Sequence, residues 1–262
     1  MQPVRAKKHL GQHFLHDKRI AERIVEALPQ EAYKEDLLEI GPGTGVLTNF
    51  ILPKKETGFF GLDLDEESIT YLKQQHPKRA ESFIYCDFLQ YDLNYITKNK
   101  FNVIGNFPYN ISTQIMFRVL EFRNRIEYVV GMFQKEVAKR IAEKPGSKEY
   151  GILSVLLQAY FTIDYLFTVN EGVFSPPPKV KSGVIRLKRN ATKKLDCNEE
   201  LFFKVIKMAF NQRRKTLRNA LKAMLNEQTT TLEILNKRAE QLSVNEFVFI
   251  TKEIEKTIEV KN

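Results

Sequence analysis

The sequence predicts an α/β chain, with a doubly wound sheet spanning residues 1–190 and a small all-helical domain over residues 191–262. Three observations carry this. Short apolar runs alternate with helix-like stretches through Phe133, and the first of these runs breaks into the turn Gly41-Pro42-Gly43-Thr44-Gly45. After the polar stretch Lys188 to Lys194 the remainder reads as helical, which puts the boundary near Asn190. A chain of 262 residues, 43% of them apolar, is long enough for one large domain and a small appendage.

Leu37-Leu38-Glu39-Ile40 reads as a buried strand, and Val46, Leu47, Phe50 and Ile51 follow the glycine turn at helical spacing. Such a turn lets the backbone approach a ligand, and a helix N-terminus beyond it presents free N–H groups. Gly-x-Gly-x-Gly is not the dinucleotide fingerprint, although a nicotinamide enzyme is the natural competitor. The second run, Phe59 to Leu62, ends in Asp63, where doubly wound folds place a carboxylate for ribose hydroxyls; the plainer reading is a helix cap, since Asp65, Glu66 and Glu67 follow. The third, Phe83 to Cys86, ends in Asp87, which suits either an adenine amino group or an ordinary turn. The fourth, Phe101 to Gly105, ends in Asn106-Phe107-Pro108-Tyr109. Ile126 to Phe133 is the fifth run, and strand candidates near Tyr160–Val169 and Gly183–Lys188 complete the sheet. Four successive strand ends thus meet on one rim, where open α/β sheets bind ligands.

The tetrapeptide at the fourth strand end meets the needs of methylation at an exocyclic amine. The amino nitrogen of adenine is a poor nucleophile because its lone pair is delocalised into the ring. Two acceptors aimed at the amine draw that pair back onto nitrogen. An Asn side-chain oxygen and a carbonyl of a proline-fixed turn are such acceptors, and the Tyr ring offers a flat surface for an unstacked base. Asn106, Pro108 and Tyr109 are therefore the catalytic candidates. Phe174 is the candidate for the opposite face of the base, against the plainer reading of a core aromatic.

Several segments in order resemble the bacterial small-subunit ribosomal RNA adenine N6,N6-dimethyltransferases. Lys8 to Leu15 is similar to that family's cofactor-lid motif, Glu39 to Gly45 to its glycine loop, and Gly105 to Ser112 to its catalytic motif. Gln134 to Ala138, Phe174 to Val180 and Ala209 to Arg218 match its later segments, the last being the signature of its small C-terminal domain. The resemblance implies a Rossmann-like methyltransferase fold whose last hairpin is reversed. It implies S-adenosylmethionine as methyl donor, and two adjacent adenosines near the 3′ end of 16S rRNA as substrate. It also implies that His13, Leu15, Gly41, Gly43, Asp63, Asp87 and Asn106 line the donor. Three positions depart from the usual pattern: His13 stands for Asn, Asp63 for Glu and Phe107 for Leu. Phe107 would enlarge an apolar wall beside the acceptor amine.

The expected reaction is direct displacement by the amine, with no metal and no covalent enzyme intermediate. A strong general base is unnecessary, because the nitrogen becomes acidic only after the methyl arrives. Competing readings are a nicotinamide oxidoreductase, the related 23S rRNA methylase of antibiotic resistance, and a non-catalytic ribosome assembly factor. The first has no use for Asn106 to Tyr109, and the second lacks the run Asn211 to Lys215.

A formal charge of +9 favours a polyanionic partner. From Leu201 to Asn226 there are seven basic residues and no acid, and Arg214, Arg218 and Lys222 are spaced as a stripe beside Leu217, Leu221 and Leu225 of one helix. Arg213, Arg214, Lys215, Arg218 and Lys222 are the expected phosphate contacts. Cys86 and Cys197 fall in different expected domains, so no disulfide is expected, and no Cys/His cluster has metal-ligand spacing. The N-terminus lacks an apolar signal region and no run is long enough to span a membrane, so the expectation is a reduced, cytoplasmic, monomeric protein without a membrane partner.

Overall fold

The computed structural model describes residues 4–55 and 57–259. The chain divides into two compact units, one of Met1–Lys139 with Thr162–Arg189, the other of Arg140–Phe161 with Asn190–Asn262. The chain passes between them at 139/140, 161/162 and 189/190, so the stretch 140–161 groups with the C-terminal residues instead of the sheet.

The first unit carries strands β1 (Phe14–Leu15), β2 (Asp36–Ile40), β3 (Phe59–Asp63), β4 (Phe83–Tyr85), β5 (Phe101–Asn106), β6 (Ile126–Gln134), β7 (Phe161–Val169), β8 (Phe174–Ser175) and β9 (Ser182–Arg189). Seven of them form one sheet in the order β4-β3-β2-β5-β6-β9-β7. The first five in that order run parallel and β9 is antiparallel to β6, the reversed closing pair that the resemblance implies. Leu37, Leu38, Val103 and Ile104 are fully buried, as strands covered on both faces must be, and this is why these segments read as continuous apolar runs. Because β2 to β5 are parallel, Gly41, Asp63, Asp87 and Asn106 all leave the sheet at the same rim.

Helices α1 (Lys18–Glu26), α2 (Thr48–Ile51), α3 (Glu66–Gln75), α4 (Ser112–Glu121) and α5 (Lys135–Ala142) connect these strands. Asp17 caps α1 by accepting from the N–H groups of Arg19 and Ile20, and Asp65 caps α3 through the N–H of Glu67. The helix cap is thus Asp65 and not Asp63.

A second, two-stranded ladder was not expected. Phe14 pairs with Ser175 and Leu15 with Phe174, which fastens the N-terminal segment to the start of the proline-rich loop. Two-residue strands leave no periodicity to read.

The second unit contains α6 (Ile152–Gln158), α7 (Glu199–Asn211), α8 (Leu217–Ala220) and α9 (Val244–Glu259), joined by short 3-10 turns. Asn198 caps α7 at the Leu201 N–H, and Ser243 and Glu246 form a reciprocal capping box on α9. Residues 153–157 of α6 are all buried, the Ser154 hydroxyl bonded to the Arg140 carbonyl, so the helix is buried all round and carries no 3.6-residue pattern. The Tyr150 ring lies 6.2 Å from that of Phe210, tying the 140–161 stretch to α7.

The continuous helix expected from Leu217 to Leu225 is absent. The chain turns at 212–215, forms the four residues of α8, and continues as a 3-10 turn over Lys222–Met224. The cause is tertiary: Thr216 bridges Arg238, and the Leu217 N–H donates to the Lys237 carbonyl, which draws the chain out of line. Arg214, Arg218 and Lys222 therefore do not share one helix face.

Candidate active site

The glycine loop after β2 is shaped by three left-handed residues, Gly41 (φ 68°), Gly43 (φ 54°) and Gly45 (φ 82°). Their N–H groups are already used. Gly41 donates to the Leu62 carbonyl at 2.8 Å, Gly43 to Oδ2 of Asp63 at 3.1 Å and Gly45 to the Pro42 carbonyl at 2.8 Å. The α2 helix behind the loop has only four residues. The N–H groups of the three glycines are thus taken, and the loop is held in shape by its own bonds.

Asp63 links loop and sheet. One carboxylate oxygen accepts from Gly43 and the other from the Asp65 N–H at 3.0 Å. Burial pushes its carboxyl up to about 6 in spite of these bonds. Beneath the loop, Glu39 is 1% exposed and accepts from the Thr48 hydroxyl at 2.6 Å. Burial pushes it up to about 8, opposed by the Thr48 bond and aided by the Asp63 charge. No signal within its strand distinguishes Glu39 from a core residue except its charge.

These shifts have a signed consequence. Both folded values lie above those of the unfolded chain, so the native state holds more protons across the window from about pH 4.5 to about pH 8. Stability should therefore fall as pH rises through it. Glu39→Gln keeps an acceptor for Thr48 and cannot ionise, so its melting temperature should decline less than wild type between about pH 6 and about pH 9. Parallel declines would refute this.

Above the rim lies a cavity of about 260 Å³. His13, Gly41, Gly43, Asp63, Asp87, Asn106, Pro108 and Tyr109 all line it, so eight of the expected positions are brought together. Asp87 is also a turn residue, its two oxygens accepting from the Leu89 N–H and the Gln90 side chain, each at 2.9 Å. Asn106 donates its amide N–H to the His13 carbonyl at 3.0 Å. A carbonyl only accepts, so the amide nitrogen must face it and the amide oxygen remains as the acceptor Asn106 can offer. The Pro108 carbonyl takes the Ile111 N–H at 3.2 Å and keeps a second lone pair.

Leu15 and Phe174 are placed elsewhere. Leu15 is 2% exposed and lines a separate void of about 20 Å³ beside Glu39. Phe174 is 3% exposed, lies in the core and does not line the main cavity. The β1–β8 pairing turns its ring inward, so it offers no face to a base and the core role holds. Phe107 is among the residues lining the cavity, with its ring 1% exposed and lying over Gly105 and Gly131, edge-on to Phe133 at 5.1 Å. The two glycines absorb the added bulk within the sheet.

Residues 9–14 form much of the cavity wall, more than the lid motif alone suggested. The segment is anchored through Asp65, which accepts from the Lys7 ammonium and, at 3.1 Å, from the Gln12 amide. His13 Nδ1 lies 2.7 Å from the Pro176 carbonyl and therefore carries a proton. Its ring stands 5.5 Å from that of Tyr109. These pairings join residues more than fifty positions apart and leave no local signal. Phe88, directly after Asp87, also lines the cavity, and an aromatic following a strand-end acid was a signal available to find it.

The donor set tests the fit of a ligand. Among the described residues no Lys or Arg lines the cavity; the charged groups there are the carboxylates of Asp63 and Asp87, beside apolar surface from Leu62, Leu64 and Phe88. A Cβ at Gly43 would stand 2.9 Å from the Phe14 ring, so the cradle depends on that glycine. Carboxylates for hydroxyl and amino groups, an apolar slot and no phosphate partner suit a cationic nucleoside and not a pyrophosphate. Among the described residues no group of His, Cys, Asp or Glu could hold a metal ion, and no helix is long and apolar enough to cross a membrane.

The sheet order and this rim are those of a Rossmann-like methyltransferase. The family described as ribosomal RNA adenine dimethylase matches residues 4–256. A protein of Cytophaga hutchinsonii named ribosomal RNA small subunit methyltransferase A is 57% identical over 253 residues, covering 96% of this chain and 98% of that one. One of the same name from Flavobacterium johnsoniae is 55% identical over 257 residues, covering 97% and 98%. In fold, the chain is similar to a dimethyladenosine transferase from Plasmodium falciparum, with a TM-score of 0.75, 24% identity and coverage of 93% and 98%. It is also similar in fold to the 23S rRNA methyltransferase ErmE, with a TM-score of 0.61, 23% identity and coverage of 91% and 99%. The chain belongs to the ribosomal RNA adenine dimethylase family.

Proposed function

We propose that this protein dimethylates N6 of two adjacent adenosines in the 3′-terminal hairpin loop of 16S rRNA, with S-adenosylmethionine as donor, as a cytoplasmic monomer acting in small-subunit biogenesis. The observation that carries the reading is the fixed Asn106 amide in the wall of a cavity lined, among the described residues, by carboxylates and by no Lys or Arg. Support for the substrate comes from the two relatives named for the ribosomal small subunit, which match nearly the whole chain.

S-adenosylmethionine, when bound, supplies an electrophilic methyl group. The chain's residues do the rest by placement. Asp63 and Asp87 accept hydrogens from hydroxyl and amino groups, and the glycine loop lets the backbone stand close. The Asn106 amide oxygen and the Pro108 carbonyl accept the hydrogens of the target amine, which returns its lone pair to nitrogen and orients it. Tyr109 supports the flipped base. Mass spectrometry of small-subunit rRNA incubated with protein and isotopically labelled donor tests this directly. Unlabelled RNA would overturn it.

Donor identity has its own test. Asp63→Ala removes the ribose partner and strands the Gly43 N–H, so calorimetry should show S-adenosylmethionine binding weakened by about 1–3 kcal/mol. Micromolar NAD binding without donor binding would contradict the cavity reading.

For RNA, the basic segment separates into two groups. Arg213 donates to the carbonyls of Ser147 and Lys148 and pairs with Glu240, while Arg218 donates to the Thr230 carbonyl and the Asn236 side chain. Arg214, Lys215 and Lys222 are exposed, with no side-chain partner among the described residues. These three are the phosphate contacts, and Arg213 and Arg218 hold the helical unit together. Each phosphate contact to single-strand-like RNA adds about 0.7 to the slope of log affinity against log salt, so replacing Arg214 and Lys215 together by alanine should flatten it by about 1.4. Arg213→Ala should instead lower the melting temperature. An unchanged slope in a stably folded double mutant would refute the assignment.

A further inference from the structure

The Tyr109 hydroxyl lies 2.6 Å from the Ser182 hydroxyl, a direct hydrogen bond from the cavity wall to the first residue of β9. Ser182 is completely buried and does not line the cavity, so no substrate reaches it. The connection that ends at Ser182 also supplies the Pro176 carbonyl that holds His13. Both rings at this wall are thus gripped from the same stretch, 176–182, one at each end.

We propose that Ser182 is a positioning residue that fixes the plane of the Tyr109 ring, and that this hold matters more for the second methyl transfer than for the first. The inference rests on the stacking role given to Tyr109 above. An unmodified adenine amine has two hydrogens and can engage both acceptors, at Asn106 and at Pro108. Once methylated it has one, so only one acceptor can hold it. Orientation of the nitrogen then depends more on how firmly the base lies against Tyr109. A Tyr ring is anchored by its hydroxyl at one end and its Cβ at the other; without the hydroxyl bond it swings about two side-chain torsions. Burial of Ser182 favours the bond, since a buried hydroxyl finds a partner or is costly to leave alone.

The test compares Ser182→Ala, Tyr109→Phe, their combination and Tyr109→Ala on small-subunit RNA, scoring N6-monomethyl and N6,N6-dimethyl adenosine over time by mass spectrometry alongside thermal unfolding. Ser182→Ala and Tyr109→Phe should each slow the second transfer about fivefold, the loss of one ordinary hydrogen bond, and accumulate monomethyl product. Their combination should be no worse than either alone, because both delete the same bond. If Ser182→Ala does not fold, Tyr109→Phe deletes that bond from the other side. A product ratio equal to wild type in both single variants, with Tyr109→Ala strongly slowed, overturns the inference and leaves the stacking role standing. Near wild-type turnover in Tyr109→Ala overturns the stacking role itself. A purely structural Ser182 would lower the melting temperature without moving the ratio.

Discussion

Asn106→Ala should lose methyl transfer by about 10²-fold or more at saturating donor while keeping its affinity for RNA, because a preorganised polar group aimed at the reacting centre is worth that much. Two effects combine at this residue. Its amide oxygen is the acceptor for the amine, and its amide N–H holds the His13 carbonyl. Donor affinity should therefore weaken as well, which is why saturation matters. Tyr109→Ala should lose less, about 10- to 10²-fold, the range that base–aromatic stacking covers. Single-turnover kinetics with RNA binding measured in parallel separates these effects from a binding defect. Near wild-type turnover in Asn106→Ala would remove the basis of the proposed chemistry.

Gly131→Ala should cost about 1–3 kcal/mol of stability, as overpacking in a well-filled core does. A Cβ there would stand 2.8 Å from Cδ2 of Phe107 and 2.8 Å from Cε2 of Phe133. Phe107→Leu on the same background should restore part of the loss, since it removes one of the two rings that the new methyl group meets. Gly105→Ala should not be rescued in this way, because its Cβ would also stand 2.5 Å from the Ile40 carbonyl oxygen, which is backbone and cannot withdraw. Thermal unfolding of the single and double variants distinguishes the two cases, and a failed rescue at Gly131 would sink the account of Phe107 as a ring housed by two glycines.

The rim was legible because each parallel strand is a short apolar run that stops at a residue of different chemistry: Gly41, Asp63, Asp87 and Asn106. Burial on both faces makes such runs visible and parallel order puts their ends together. The same burial hid α6, whose residues 153–157 have no polar face to set a period. Partnerships across long separations were illegible for another reason. Phe174 reads as either a stacking or a core aromatic until Leu15 pairs with it, and Arg213 reads as a phosphate contact until the Ser147 and Lys148 carbonyls are found beside it. Local pattern reports which face of an element is apolar, but says nothing of which distant carbonyl a guanidinium will meet.

The course of the chain between its two units bears on how it is made. As it is synthesised from the N-terminus, residues 140–161 are complete well before α7 and α9, the helices α6 packs against, exist. α7 is complete only about fifty residues later and α9 about a hundred, so until then Leu153, Val155, Leu156 and Leu157 lack their full cover, while the seven-stranded sheet can already close at Arg189. Nascent chains in that interval carry an apolar helix in search of a surface, the kind of species that aggregates or recruits chaperones. A fragment cut at residue 190 would be trapped in that condition permanently. A usable catalytic fragment has to lose 140–161 too, with a short linker in its place.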